Sequence, residues 1–530
     1  MDISEKRNGV TDRREAPHNP ERTVKPSTVT SGADYILPDY LGDIKRVLNY
    51  SAKVIPSGRF LGSEKLSCGG IVWYSVIYLD SENRLTEASF TSDYEYEEKI
   101  PDGFVDADSE CRLAGLSVRL AGPRKISAKA SLCPEITFTE ARCPHMPEDT
   151  DGLELLSSEI SESSLEIIRS AEREYAEEVA RLEGVSAEDV EELFSGGYVK
   201  ISSTECTDGG IQLSGTLELY AILLIEGNTT LRVEKSIPVT ELVGGECDEG
   251  LKFISKGYIT SLRVSMNNSS DADAEGKEGA SFATSVTFDV TVEYTVRSYK
   301  NSCSTVVKDA FACDCLCECE YRNYSYTQLT DVIRDEREIC FTVDKSELDT
   351  GDIGDILDTF ATAKLTSVTA EDGELVFEGE INTATLLQTV DEAGYASHKA
   401  THSFKERLRP AVKLSGSERI TSEVTECTAA TTLDSSRLYI KCTLLTHTLI
   451  KEDKSLKTVH TVSRKEEEIA SDAAVTVYYP ASGEGLWSIA KRYRVSPLAL
   501  AEENMLDATC LASGEELSLE GCKKIIISKL

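Results

Sequence analysis

The sequence predicts a mainly β protein, with three β-rich, antiparallel, sandwich-like repeat domains carrying short helices, followed by a small C-terminal unit of order strand, helix, helix, strand. Three observations carry this expectation. A strand-forming pattern recurs three times at domain-length spacing, apolar and polar residues alternate through most of the chain, and residues 475–530 switch to helical periodicity between two strand-like segments.

The repeat rests on three matching segments: LGDIKRVLNYSAKVIP (Leu41–Pro56), AEDVEELFSGGYVKIS (Ala187–Ser202) and IGDILDTFATAKLTSV (Ile353–Val368). Each reads as a short helical stretch with an aspartate (Asp43, Asp189 or Asp355) leading into a strand. After a polar turn, a second strand ends near a glycine: Gly70, Gly215 or Gly379, which follow the aspartates by 27, 26 and 24 residues. Beyond the glycines IVWYSVIYL, TLELYAILL and EINTATLLQ alternate as strands with one buried face. The aspartate advances by 146 and then 166 residues, one domain length and too long for a solenoid.

The implied organisation is a disordered tail (1–30), a first repeat (31–150), a helical linker (151–185), a second repeat (186–341), a third repeat (342–460), a charged linker (461–474) and the C-terminal unit (475–530). The tail is rich in charge, Pro and Ser and poor in large apolar side chains. From Ser163 to Glu183 helix formers dominate, with Leu165, Ile168, Ala171, Tyr175 and Val179 as the apolar stripe and Gly184 as the stop. Ser186 fits an N-cap for the next short helix. Asn267–Gly279 reads as a surface loop.

With 92 acidic and 56 basic residues the formal charge is −36. Such a field repels phosphate backbones and anionic headgroups, so nucleic acid is excluded as a partner. No stretch approaches the roughly 18–20 apolar residues of a transmembrane segment, and the N-terminus lacks the apolar core of a signal peptide. A cytoplasmic location follows, and with it 16 cysteines held reduced. Cys313, Cys315, Cys317 and Cys319, with Cys303 nearby, stand at two-residue spacing that predicts one face of a strand, a metal or redox cluster being the alternative.

Enzyme chemistry is not expected. The chain lacks a GxxxxGK[ST] phosphate loop, an HExxH helix and a GxSxG elbow. His398 and His402 read as exposed strand histidines, Glu191 and Glu192 as solvated helix positions, and Arg119 and Arg124 as a charged strand face. No cofactor and no metal are predicted.

The C-terminal unit reads as a strand at Val475–Tyr479, a glycine-rich loop, a helix carrying Leu486, Ile489, Ala490 and Tyr493, and a second helix from Ser496-Pro497 through Glu503. A return strand is expected from Gly514 to Leu519. This order, with Gly483, Glu484, Gly485, Leu486, Trp487, Ile489, Ala490, Asn504, Leu506, Gly514 and Leu517, resembles the LysM family. The resemblance implies a shallow groove for N-acetylated glycans formed by Gly483, Glu484, Gly485 and Leu486 with Asn504, Met505 and Leu506. Glu484 and Gly485 stand where the family carries Asp and Thr, which removes a hydroxyl from the loop.

The β-rich repeats resemble the sporulation-associated SPOCS (DUF3794-like) domain through ILPDYLGDIKRVL (Ile36–Leu48), PRKI (Pro123–Ile126) and VVKDAF (Val306–Phe311). Together the two resemblances imply a non-enzymatic adaptor of spore-coat assembly on the mother-cell side of the forespore, docking on a spore-envelope protein such as the coat-basement ATPase. The alternative they imply is a peptidoglycan-binding protein of the cell wall or cortex.

Overall fold

The computed structural model describes residues 21–140, 147, 150–226, 229–244, 247, 250–270, 282–348, 352–390, 394–434, 436–465, 475–507, 517–519 and 524–528. It is mainly β, and the strands pair antiparallel.

The first strand set comprises β1 (Glu21–Val24), β2 (Val29–Ile36), β3 (Ile44–Leu61), β4 (Lys65–Asp80), β5 (Leu85–Lys99), β6 (Phe104–Gly122) and β7 (Lys125–Glu140). The second comprises β8 (Leu153–Glu183), β9 (Val190–Thr207), β10 (Gly210–Ile225), β11 (Thr229–Gly244), β12 (Lys252–Ser270) and β13 (Phe282–Ala312). The third comprises β14 (Leu316–Asp344), β15 (Ile353–Glu371), β16 (Glu374–Thr389), β17 (Tyr395–Leu408), β18 (Glu418–Leu433) and β19 (Arg437–Lys465).

All three sets share one topology. Three consecutive strands form a meander, β3-β4-β5, β9-β10-β11 and β15-β16-β17, and the others form a second sheet in which the opening strand pairs with the closing one. In the second and third sets that sheet is β12-β13-β8 and β18-β19-β14. In the first, β1 and β2 lie end to end along β7 and replace the single opening strand. Each pair of sheets closes on its own apolar core: Tyr74 and Tyr94 with Leu132 and Phe138, Leu217 and Leu219 with Val290 and Tyr294, and Leu375 and Phe377 with Leu438 and Ile440. Burying one such side chain contributes about 1.5–3 kcal/mol.

The repeated glycines have a common structural cause. A β-carbon on Gly70, Gly215 or Gly379 would lie 2.2, 2.2 or 2.4 Å from the carbonyl oxygen of Ile55, Lys200 or Lys364. Beside each, the paired strand shifts register at a bulge, at Pro56/Gly58, between Ser214 and Gly215, and at Leu365/Ser367. The crossing strands approach too closely there for a side chain. Seven residues beyond each glycine, Ile77, Ile222 and Leu386 meet in a single buried cluster, so corresponding positions of the three meanders converge.

Several sequence expectations are corrected. The segment Ser163–Glu183 is not a helical linker but part of β8, whose register with β13 runs from Leu153↔Ala312 to Glu183↔Ala283. Ala171, Tyr175 and Val179 pack on the second core at a spacing of four, which fits a strand of period two as well as a helix. Likewise β14 opens the third set instead of closing the second. The short helical stretches are strands β3, β9 and β15, preceded in the second set by a single 3-10 turn at Ala187–Asp189, where Ser186 makes no side-chain cap. Residues 21–24 and 29–30 of the expected tail are strand, and buried Glu21 accepts a hydrogen bond from Lys451 Nζ at 2.8 Å. Residues 1–20 and 271–281, the latter holding most of the expected surface loop, lie outside the described residues. The expectation of reduced thiols fails at one pair, since Cys206 and Cys247 are disulfide-bonded. No helix among the described residues is long and apolar enough to cross a membrane.

Candidate functional site

The C-terminal unit consists of β20 (Val475–Tyr478), α1 (Leu486–Tyr493), α2 (Pro497–Glu503) and β21 (Ile525–Ser528). The strand that pairs with β20 is IIIS; of the expected return strand Gly514–Leu519, Ser518 makes an isolated bridge to Gly485, and residues 514–516 lie outside the described residues. Leu486, Ile489, Ala490, Leu500, Ala501, Ile525 and Ile527 fill the small core.

The seven residues expected to form the groove divide into structural and open positions. Gly483 has φ +85°, with open space where a side chain would stand. Glu484 is bound internally: its carboxylate accepts hydrogen bonds from Tyr478 Oη (2.7 Å), the Ala481 amide (2.9 Å) and Arg492 Nη2 (2.9 Å). These bonds hold the carboxyl below its ordinary range, the Ala481 amide first among them. Gly485 is the extended residue that starts α1, and Leu486 is fully buried. Asn504 ties α2 to β21, donating to Leu500 O (2.8 Å) and Ile526 O (2.7 Å) and accepting from the Ile526 amide (2.7 Å). Leu506 is packed against the core, whereas Met505 is 96% exposed with φ 55°. Of the seven, Gly483 and Met505 are the ones left unengaged among the described residues.

The face of α1 that carries Trp487 and Lys491 is occupied. Trp487 packs edge-on against Phe311 of β13 with ring centroids 5.1 Å apart, and Leu156 of β8 joins the same cluster. Asp309 accepts from Trp487 Nε1 (2.9 Å), from Lys491 Nζ (2.6 and 2.7 Å) and from Tyr321 Oη (2.6 Å). Burial opposes ionisation of Asp309, but the bonds from Lys491, Tyr321 and Trp487 outweigh it and keep the carboxyl below its usual range. Trp487 falls within the expected first helix, and Asp309 and Phe311 within VVKDAF, but nothing local signals that the two segments meet.

The remaining candidates do not assemble a reactive site. Cys313 and Cys315 sit in the turn between β13 and β14, so the four cysteines do not share one strand face; Cys315 and Cys317 lie 4.0 Å apart, and Cys319 Sγ donates to Ala310 O. His398 and His402 lie on β17, but both are half-buried, and His402 stacks on Phe341 at 4.1 Å. Glu191 and Glu192 belong to β9 instead of a helix. Arg119 is exposed, while Arg124 organises a loop by donating to Leu41 O, Pro38 O and Asp43 Oδ1. No group of three or more metal-ligating side chains is found among the described residues. Neither the known family models nor the curated proteins contain a match to this chain.

Proposed function

We propose that this chain is a non-enzymatic structural adaptor of spore-envelope assembly whose C-terminal unit is a LysM-type module used for docking on protein. The observation that carries the reading is the seat of Trp487 and Lys491 on Phe311 and Asp309. One helix face engages the end of a β-hairpin through an aromatic anchor and a shared carboxylate, a combination typical of protein interfaces. Glu484 and Asn504, two of the residues expected to form the glycan groove, are spent on bonds inside the module. On this reading the external partner is a spore-envelope protein such as the coat-basement ATPase, met in the mother-cell cytoplasm at the forespore surface.

The test is the location of a tagged full-length copy through sporulation, paired with sedimentation of the purified chain with peptidoglycan. A shell around the forespore without sedimentation is expected. Vegetative wall staining with sedimentation that Gly483→Trp abolishes would replace the adaptor by the glycan-binding alternative.

A further inference from the structure

A cleft of about 310 Å³ opens between β9 and β12 of the second strand set and β14 and β19 of the third. Arg334 and His447 line it, and they are cross-strand partners in the β14–β19 ladder. Glu423 of β18 pairs with His447 in turn, so Arg334, His447 and Glu423 form one row across the sheet.

The cations around this row are unequally compensated. Lys252 is bound to Asp331 Oδ1 (2.7 Å) and Thr330 O (3.1 Å), and Lys256 to Glu110 and Glu423. The Arg334 side chain makes no hydrogen bond or ion pair among the described residues; Glu336, the carboxylate that acts on it electrostatically, is itself paired with Lys200 at 2.7 Å. Burial lowers the Arg334 pKa, with Glu336 opposing, as expected of a half-buried charge without a paired counterion. His447 is 6% exposed and its Nδ1 has no hydrogen-bond partner. Burial, followed by the Lys256 and Arg334 cations, pushes its pKa down to about 3. Glu110 opposes these two cations, and Glu423 Oε1, next in the row, is buried without a hydrogen-bond partner, so the positive group the cleft offers is the uncompensated Arg334.

Hydroxyls complete the lining. Ser203 makes no hydrogen bond through its side chain among the described residues, and buried Ser255 accepts from Thr204 Oγ1 at 2.9 Å, leaving its own proton to donate. A guanidinium fork offers two parallel N–H donors, which match two oxygens of one oxyanion, and serine hydroxyls can take a third. We infer that this cleft binds a small oxyanion, a carboxylate or phosphate, gripped by Arg334 with Ser203 and Ser255. Its volume excludes a polyanion, and a ligand held there touches two strand sets at once and stabilises their junction.

Calorimetric titration of the full chain with inorganic phosphate, and separately with citrate, at ionic strength held constant with chloride, tests the inference. Saturable binding of at least one anion is expected, weakened tenfold or more by Arg334→Gln and several-fold by Ser203→Ala. The preferred anion names the source. No saturable heat with either, or Arg334→Gln binding as tightly as the parent, overturns the site. Should Arg334→Gln fail to fold, Ser203→Ala and Ser255→Ala decide in its place, and unchanged affinity in both overturns it equally.

Discussion

Lys256 Nζ stands 2.6 Å from Glu423 Oε2, with both side chains almost withdrawn from solvent. The same ammonium lies 2.8 Å from Glu110, so the equivalent strands β6, β12 and β18 of the three sets share one cation. Although burial raises the Glu110 pKa, Lys256, Arg112 and Arg297 overcome it and hold the carboxyl far below its ordinary range. Replacing Lys256 by Met leaves buried Glu423 without its ion-pair partner and Glu110 held by Arg112 alone among the described residues, and is expected to cost about 3–5 kcal/mol in denaturant unfolding. A loss below about 1 kcal/mol would show that the shared cation does not tie the sets together.

Glu87 gives stability an acid-favouring component. Burial raises its pKa to about 7 against hydrogen bonds from Ser75 Oγ (2.6 Å) and the Ser195 amide. Its folded pKa lies above the unfolded value, so its contribution is full below about pH 4.5 and is lost as pH rises towards 7. Glu87→Gln should therefore stabilise the protein at pH 8 by about 1–3 kcal/mol relative to its effect at pH 4.5. A pH-independent difference between variant and parent would contradict this.

His447 acts in the opposite sense. Its folded pKa of about 3 lies below the unfolded value, so stability is full above about pH 6.5 and is lost as pH falls towards 3. The melting temperature of His447→Gln should fall less steeply than that of the parent between pH 6.5 and 4, and parallel curves would show that the imidazole is not held neutral.

The bulge glycines predict a site-specific intolerance. Ala at Gly70, Gly215 or Gly379 forces its β-carbon against backbone and should cost about 1–3 kcal/mol at each site, as for other overpacked positions. Gly58 has nothing within 4 Å, and Gly58→Ala should change stability by less than about 0.5 kcal/mol. Equal melting temperatures for all four variants would remove the close-approach explanation.

Asp309→Ala removes the acceptor shared by Trp487 and Lys491, at a loss of about 1.5–3 kcal/mol of docking energy. In a Trp73→Phe background Trp487 is the remaining tryptophan, and its emission should shift to the red as it leaves Phe311. An unshifted spectrum would mean that packing alone seats the module.

Strand content and the repeat were legible in sequence because alternation and the Asp-to-Gly spacing are local. The opening strands were not. Residues 163–183 carry helix propensity, and only pairing with β13, more than a hundred residues away at most positions, overrides it. The same cause misplaced the boundary at 341, since β14 is matched to β19 rather than to its sequence neighbours. In the C-terminal unit the helices and the glycine-rich loop at Gly483 were readable, whereas the internal role of Glu484 depends on Tyr478 and Arg492 converging on it in space. Arg334 and Ser203 carried no motif at all; their meeting is a product of how two sets pack.

The pairing of first strand with last also governs when the chain can fold. Leu316 waits for Lys465, and Leu153 for Ala312, each roughly 150 residues later. At synthesis rates of about 5–20 residues per second, β8 and β14 each remain without a partner for about 10–30 s after leaving the ribosome. The dense charge along β8, with Glu172, Glu174, Glu177, Glu178 and Glu183, then acts on the nascent chain, keeping a solitary 31-residue strand from pairing with its neighbours on the polysome.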